Sequence, residues 1–237
     1  MEKTVGIIGA MDEEVTKPIA GADISVTETI AEMVFHCGTL GGTKVVIVRS
    51  GIGKVNAGIC TQLLITHFGA THVINTGFAG ALSPELSIGN IVVSTEAVQH
   101  DFDISPLGHK KGEIPFTGLV AFPADAELVK SACNVISGTL PNVKVLPGRI
   151  CSGDQFICDR SAKDRIISEF GGLCCEMEGA SVAQVCYLNR VPFLILRAVS
   201  DSADDSAGED FNFSVFQSSV AEEFSAAIIR LLETVFA

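Results

Sequence analysis

The chain has 237 residues, 47% of them hydrophobic and 19% charged, which supplies a sizeable core and excludes a disordered chain. Its 28 acids against 16 bases give a formal charge of −12, which argues against a nucleic-acid surface or an anionic membrane as partner and describes a soluble acidic protein. The N-terminal apolar run is cut short by Asp12-Glu13-Glu14, too early for a signal segment, and no run reaches transmembrane length, so the cytoplasm is the expected location.

Thr4 to Ile8 predicts a first strand, apolar on both faces as in a buried parallel position. It runs into Gly9-Ala-Met-Asp-Glu-Glu14, which is not GxGxxG, and three consecutive acids would repel a pyrophosphate. Asp12 and Glu13 suit a solvated helix N-terminus, whereas Glu14 is close enough to the strand end to reach the same sheet edge. Met33 to Cys37 and Thr43 to Val48 predict a hairpin around Gly38-Thr-Leu-Gly-Gly42. The glycine-rich turn Ser50-Gly-Ile-Gly-Lys54 then precedes a helical pattern of Ile59, Leu63, Leu64 and His67; amides at such a helix start can hold an anion or a sugar hydroxyl. Strands follow at His72 to Asn75, ending in Thr76-Gly-Phe-Ala-Gly80, and at Ile91 to Ser94. His100-Asp101 lacks a nucleophile elbow and reads as structural, and the segment from Asp103 to Thr117 reads as loop.

Ala124 to Ile136 has helical periodicity, Val143 to Cys151 is a strand ending in Ser152-Gly-Asp-Gln-Phe-Ile157, and Ser161 to Phe170 is a further helix. Next, a short apolar run ends in Glu176 and Glu178, about a dozen helical residues follow, and a second run from Phe193 to Val199 stops at Ser200-Asp201. This predicts a βαβ unit in an open sheet, with Glu178 and Asp201 meeting in one site from adjacent strand ends. From Asn212, apolar residues at Phe213, Phe216, Val220, Phe224, Ala227, Leu231 and Val235 predict one long amphipathic helix. The eight cysteines (37, 60, 133, 151, 158, 174, 175 and 186) form no CxxC pair and read as core thiols rather than disulfides or metal ligands. With no repeat and no linker, residues 1–237 are expected to form one domain.

Taken in order, the motifs Gly9-Ala-Met-Asp-Glu-Glu14, Ser50-Gly-Ile-Gly-Lys54, Asn75-Thr-Gly77, Ser152-Gly-Asp-Gln-Phe156, Glu176-Met-Glu178 and Arg197-Ala-Val-Ser-Asp201 closely resemble the 5′-methylthioadenosine/S-adenosylhomocysteine nucleosidases of the purine nucleoside phosphorylase superfamily. The resemblance covers essentially the whole chain. It implies an α/β fold of three layers (α/β/α) around a central mixed sheet, a homodimer, and hydrolysis of an adenine N-glycosidic bond without cofactor or metal. Asp201 then corresponds to the general acid at N7 of adenine, Glu14 to the base that activates water, and Glu178 to the carboxylate on the ribose hydroxyls, with Met177 against the sugar. Phe156 would stack on adenine and the Ile157 backbone would pair with its edge, while Arg197 and Ser200 would support the ribose and the acid. Ile52, Ala79 and Gly80 would line the pocket, and Ile104, Leu107 and Pro115 match the loop that the family contributes across its dimer interface. Phe78 departs from the pattern, since many members carry serine there, and an apolar ring replaces a hydroxyl that can bond ribose or water.

The chemistry fits the residues independently. Cleaving a C–N glycosidic bond asks for protonation of the leaving base and carboxylates near an oxocarbenium-like centre. A phosphorylase needs cationic phosphate donors, and only Arg49 and Arg197 lie at plausible strand ends, which favours water as nucleophile. The alternatives are a phosphate-using nucleoside phosphorylase and a non-catalytic nucleoside-binding protein on the same fold. Singly, Glu178 also suits a helix N-terminus and Asp201 a turn cap.

Overall fold

A computed structural model describes residues 3–207 and 220–236. Ten strands form one mixed sheet among the described residues: β1 (Thr4–Gly9), β2 (Asp23–Ile30), β3 (Met33–Leu40), β4 (Thr43–Arg49), β5 (His72–Ala81), β6 (Ile91–Gln99), β7 (Ala121–Pro123), β8 (Val145–Ser152), β9 (Cys174–Glu176) and β10 (Phe193–Asp201). The α-helices that accompany them there are α1 (Asp12–Gly21), α2 (Lys54–Thr66), α3 (Ala126–Thr139), α4 (Arg160–Phe170), α5 (Gly179–Asn189) and α6 (Val220–Val235).

The central strands are buried on both faces because helices cover both. Along them, Ile8, Val46, Val48 and Val73 point to one core, and their neighbours Ile7, Val45, Ile47 and Ile74 point to the other, the period of two that a pleated strand imposes. The first core is closed by α2 and α5 through Ala57, Cys60, Leu64, Val182, Ala183 and Cys186. The second is closed by α1, α3 and α6, including Val15, Ala132, Ile136, Phe224, Ala227 and Leu231. These are the three layers expected. The part of the C-terminal pattern before Val220, with Phe213 and Phe216, lies outside the described residues.

Several boundaries differ from those the sequence predicts. β2 gives no signal because it is an edge strand whose residues are mostly exposed or half-buried, so no apolar alternation is required of it. β5 continues to Ala81 through two glycines, and β10 carries Ser200 and Asp201 within the strand. In α2 the buried residues are Ala57, Cys60, Thr61 and Leu64, whereas Ile59 is exposed; apolar residues spread around a helix do not announce which face it buries.

The largest correction concerns the βαβ unit. β5 pairs in parallel with β10 but antiparallel with β9, so β9 and β10 run oppositely and are not neighbours. The sheet is not open at this end either. β5 pairs with β10, β10 with β6, β6 with β8, β8 with β9 and β9 with β5, which closes a five-stranded ring. Because β9 overlaps β5 only at Gly80 and Ala81, the two strands meet tip to tip. Gly80 is the hub: Cys175 pairs with it from one side and Asp201 from the other. The two acids therefore converge through β5 rather than from adjacent strands.

Candidate active site

The ends of β1, β5, β9 and β10 and the loops after β4 and β8 enclose a cavity of about 220 Å³. Four carboxylates line it: Glu14, Glu178 and Asp201, which the sequence singles out from distant parts of the chain, and Glu176. Phe156, Met177, Ile52, Ala79, Gly80 and Ser200 stand around them, all expected there from sequence. Phe78 and Cys175 complete its apolar wall.

Glu14 is set by the first turn of α1. It folds back on its own helix start, where Oε2 accepts from the amides of Ala10 (2.5 Å) and Met11 (3.0 Å), while Oε1 accepts from the Phe78 amide at 3.1 Å. Asp12, two residues earlier, is exposed and paired with Arg49 at 3.1 Å, so the helix-terminus reading holds for Asp12. Burial pushes the Glu14 carboxyl above its ordinary range against the opposing pull of Arg197 and the three amides. The fit is close at Gly77, where a β-carbon would lie 2.5 Å from Glu14 Oε1.

Asp201 is buried, and each of its oxygens is occupied: the Ser200 hydroxyl donates to Oδ2 at 2.7 Å and the Ala203 amide to Oδ1 at 2.8 Å. Ala203 adopts φ 50°, a left-handed conformation costly for alanine, at the turn that brings its amide back to Asp201. Glu178 accepts from the Gly53 amide at 2.8 Å, which ties the loop after β4 to the start of α5. Burial, reinforced by the charge of Glu176, pushes the Glu178 carboxyl up to about 7.

Arg197 requires a correction. It does not line the cavity but lies behind it, 1% exposed, donating to Asn75 Oδ1 at 2.6 Å and forming a buried ion pair with Glu176. Burial lowers a guanidinium's pKa, yet Glu176, Glu178 and Glu14 together hold that of Arg197 above its ordinary value. Glu176, which the sequence leaves without a role, accepts from the Ser152 hydroxyl, from the amides of Glu178 (3.1 Å) and Gly179 (2.8 Å), and from Arg197. A signal for it exists. An arginine inside a continuous buried apolar strand demands a buried counter-charge, and the nearest unassigned acid at a strand end is Glu176.

Ile157 lies in an adjoining recess of about 30 Å³, shared with Gln155, Phe156 and Asp201. Ile104, Leu107 and Pro115 are not brought to this chain's own cavity; Leu107 is 78% exposed on a surface turn. No lysine or arginine lines the cavity among the described residues.

The Glu178 environment has a measurable consequence for stability. Between pH 4.5 and about 7 the folded state binds more proton at this site than the unfolded chain, so stability falls as pH rises through that window. Glu178→Gln is expected to make the fall in Tm across it shallower, with Glu14 supplying a remaining slope of the same sign. Parallel melting curves of the two proteins from pH 4.5 to 8 check this; an unchanged slope contradicts it.

Comparison with known proteins agrees with this geometry. The family model of the phosphorylase superfamily matches residues 4–237. A 5′-methylthioadenosine/S-adenosylhomocysteine nucleosidase of Shewanella putrefaciens is 42% identical over 229 residues, 96% of this chain and 97% of that protein. Among solved structures, the nucleosidase of that name from Neisseria meningitidis, in complex with methylthio-immucillin-A, superposes with a TM-score of 0.92 at 34% identity, covering 98% of this chain and all of the other. A futalosine hydrolase of Helicobacter pylori superposes at 0.91 with 33% identity, covering 98% of each chain. The chain belongs to the phosphorylase superfamily and, within it, to the 5′-methylthioadenosine/S-adenosylhomocysteine nucleosidases.

Proposed function

We propose that the protein hydrolyses the N-glycosidic bond of 5′-methylthioadenosine and S-adenosylhomocysteine in the cytoplasm, releasing adenine and the thioribose product. The observation that carries this reading is the convergence of four buried carboxylates, Glu14, Glu176, Glu178 and Asp201, on a cavity that no cationic side chain lines among the described residues. Asp201, backed by the Ser200 hydroxyl, supports protonation of the purine at N7 and so makes adenine a competent leaving group. Glu178 holds the ribose hydroxyls, and its charge together with that of Glu14 stabilises the oxocarbenium-like sugar. Glu14 takes the proton of the attacking water. Phe156 and Met177 cover the base and the sugar, and Ile157 offers its backbone to the purine edge from the adjoining recess.

Water is favoured over phosphate on electrostatic grounds. Phosphate would need positive donors beside these acids, yet Arg197 is committed to Glu176 and Asn75, and Arg49 pairs with Asp12 on the surface. A panel of methylthioadenosine, adenosylhomocysteine, 5′-deoxyadenosine and a futalosine-type nucleoside, assayed for free base without phosphate, tests this reading. Adenine release from the two thionucleosides is expected; turnover of the futalosine-type nucleoside alone would replace the substrate assignment.

Gly77 gives a sharper internal test. Gly77→Ala would press a methyl group into Glu14 Oε1 and displace the base, and is expected to lower kcat about 100-fold in a folded protein that also loses some stability, since Glu14 is held by three amides. Unchanged turnover would remove Glu14 from the reaction.

The same reading implies a homodimer. Val55 and Ile59 on α2 and Tyr187 and Leu188 on α5 are exposed apolar residues on the two helices that pack together. In such a dimer the family resemblance assigns Ile104, Leu107 and Pro115 to the partner's cavity. Light scattering at micromolar concentration is expected to give a dimer; a monomer with full activity contradicts the shared pocket.

A further inference from the structure

We infer that Lys54, Asp101 and Asp154 form a positioning clamp that sets the separation of the two loops at the cavity mouth, an inference that rests on the nucleosidase reading above. None of the three lines the cavity. They close a ring of bonds beside it. The Lys54 ammonium donates to Asp101 Oδ1 at 2.6 Å, the Asp154 amide donates to Asp101 Oδ2 at 2.8 Å, and the Lys54 amide donates to Asp154 Oδ1 at 2.8 Å. The pair of side chains at its centre is 17% and 19% exposed, so solvent screens it far less than a surface ion pair.

What the ring joins gives it a role. Lys54 opens α2 directly after the loop that carries Ile52 and the Gly53 amide bonded to Glu178, whereas Asp154 lies in the loop that carries Phe156 two residues later. Ile52 and Phe156 are 54% and 50% exposed at the mouth, one from each loop, and the bond from the Lys54 amide to Asp154 ties those loops together directly. Two further contacts brace it. The Ser181 hydroxyl on α5 donates to the Lys54 carbonyl at 2.6 Å, and Lys54 Nζ also donates to Gln99 Oε1 at 3.1 Å, which in turn is linked to Gln184 by the Gln99 amide at 2.6 Å. The His100 ring packs so closely on Gly153 that a β-carbon there would lie 2.4 Å from Nε2, which seats the second loop from beneath. Burial opposes the Asp101 charge, but the Lys54 ammonium and the Asp154 amide outweigh it and hold the carboxyl below its ordinary range, so Asp101 stays charged at neutral pH.

Breaking the ring frees the two loops to separate and weakens the grip on the base without touching the reacting atoms. Asp101→Asn, Lys54→Met and the exposed-site variant Asp154→Ala are each expected to raise KM for methylthioadenosine about 10-fold while kcat changes less than about 3-fold, and Lys54→Met with Asp101→Asn together is expected to add little to either alone. Hydrogen exchange of the same variants is expected to rise at residues 50–54 and 153–157 together and to stay unchanged in the central strands, which a general loss of fold would not do. Unchanged KM, or unchanged exchange in both loops, overturns the clamp. If the unaltered protein releases no adenine, the nucleosidase reading fails, and the exchange pattern alone then decides whether the two loops are coupled.

Discussion

Replacing Asp201 with asparagine is expected to lower adenine release by at least about 10³-fold, because the variant has no proton to share with the purine. The fold should survive the change. Asparagine keeps an oxygen for the Ala203 amide, and the Ser200 hydroxyl, which now donates to Oδ2, can rotate to accept from the new amide group. The expected cost to stability is therefore about 1 kcal/mol or less. Single-turnover release of adenine, measured beside a melting curve, separates the two quantities. Near-normal turnover in a folded variant would strike Asp201 from the mechanism.

Glu14→Gln is the second large expectation, and it fails at a different step. Leaving-group protonation remains, but nothing removes the proton from water, so hydrolysis should again fall by at least about 10³-fold while the nucleoside still binds. Calorimetry with methylthioadenosine then reports binding without turnover, an outcome that also separates loss of chemistry from loss of the pocket. Some stability cost is expected, because Glu14 accepts three backbone amides and a neutral amide accepts through one oxygen only. The raised carboxyl of Glu14 adds a pH signature: the base ionises only above the ordinary carboxylate range, so the acid limb of kcat/KM should sit correspondingly high. Retained hydrolysis in this variant would mean that water is activated elsewhere.

Both expectations concern residues legible in the amino-acid sequence alone, and the reason is physical. Glu14, Glu178 and Asp201 each follow an apolar run that has to be a buried strand, and acids at the ends of buried strands have few places to go other than a shared crevice. Less legible is how those ends meet. Sequence periodicity marks a strand but not its direction, so β9 reads as parallel to β10, whereas a two-residue overlap at Gly80 and Ala81 turns it round and closes the ring. Arg197 shows the same limit: its place in the motif suggests contact with substrate, but the strand carries its side chain behind the cavity to Glu176, Asn75 and the charges it balances. Edge strand β2 leaves no mark because its solvent-facing residues are free to be polar.

Arg197 faces three acids in this network, Glu176, Glu178 and Glu14, and one guanidinium cannot neutralise them all. Burial raises the carboxyls of Glu14 and Glu178, at Glu178 the charges of Glu176 and Glu14 add to it, and the excess negative charge is the reason a phosphate nucleophile is disfavoured in the same space.

That choice of nucleophile is the centre of the account, and one measurement addresses it directly. Adenine release from methylthioadenosine is followed in phosphate-free buffer and again after phosphate is added, with the sugar product examined by phosphorus NMR. The expected result is the same rate in both buffers and no new phosphate ester. Release that requires phosphate, with a sugar 1-phosphate resonance growing in step, would contradict it.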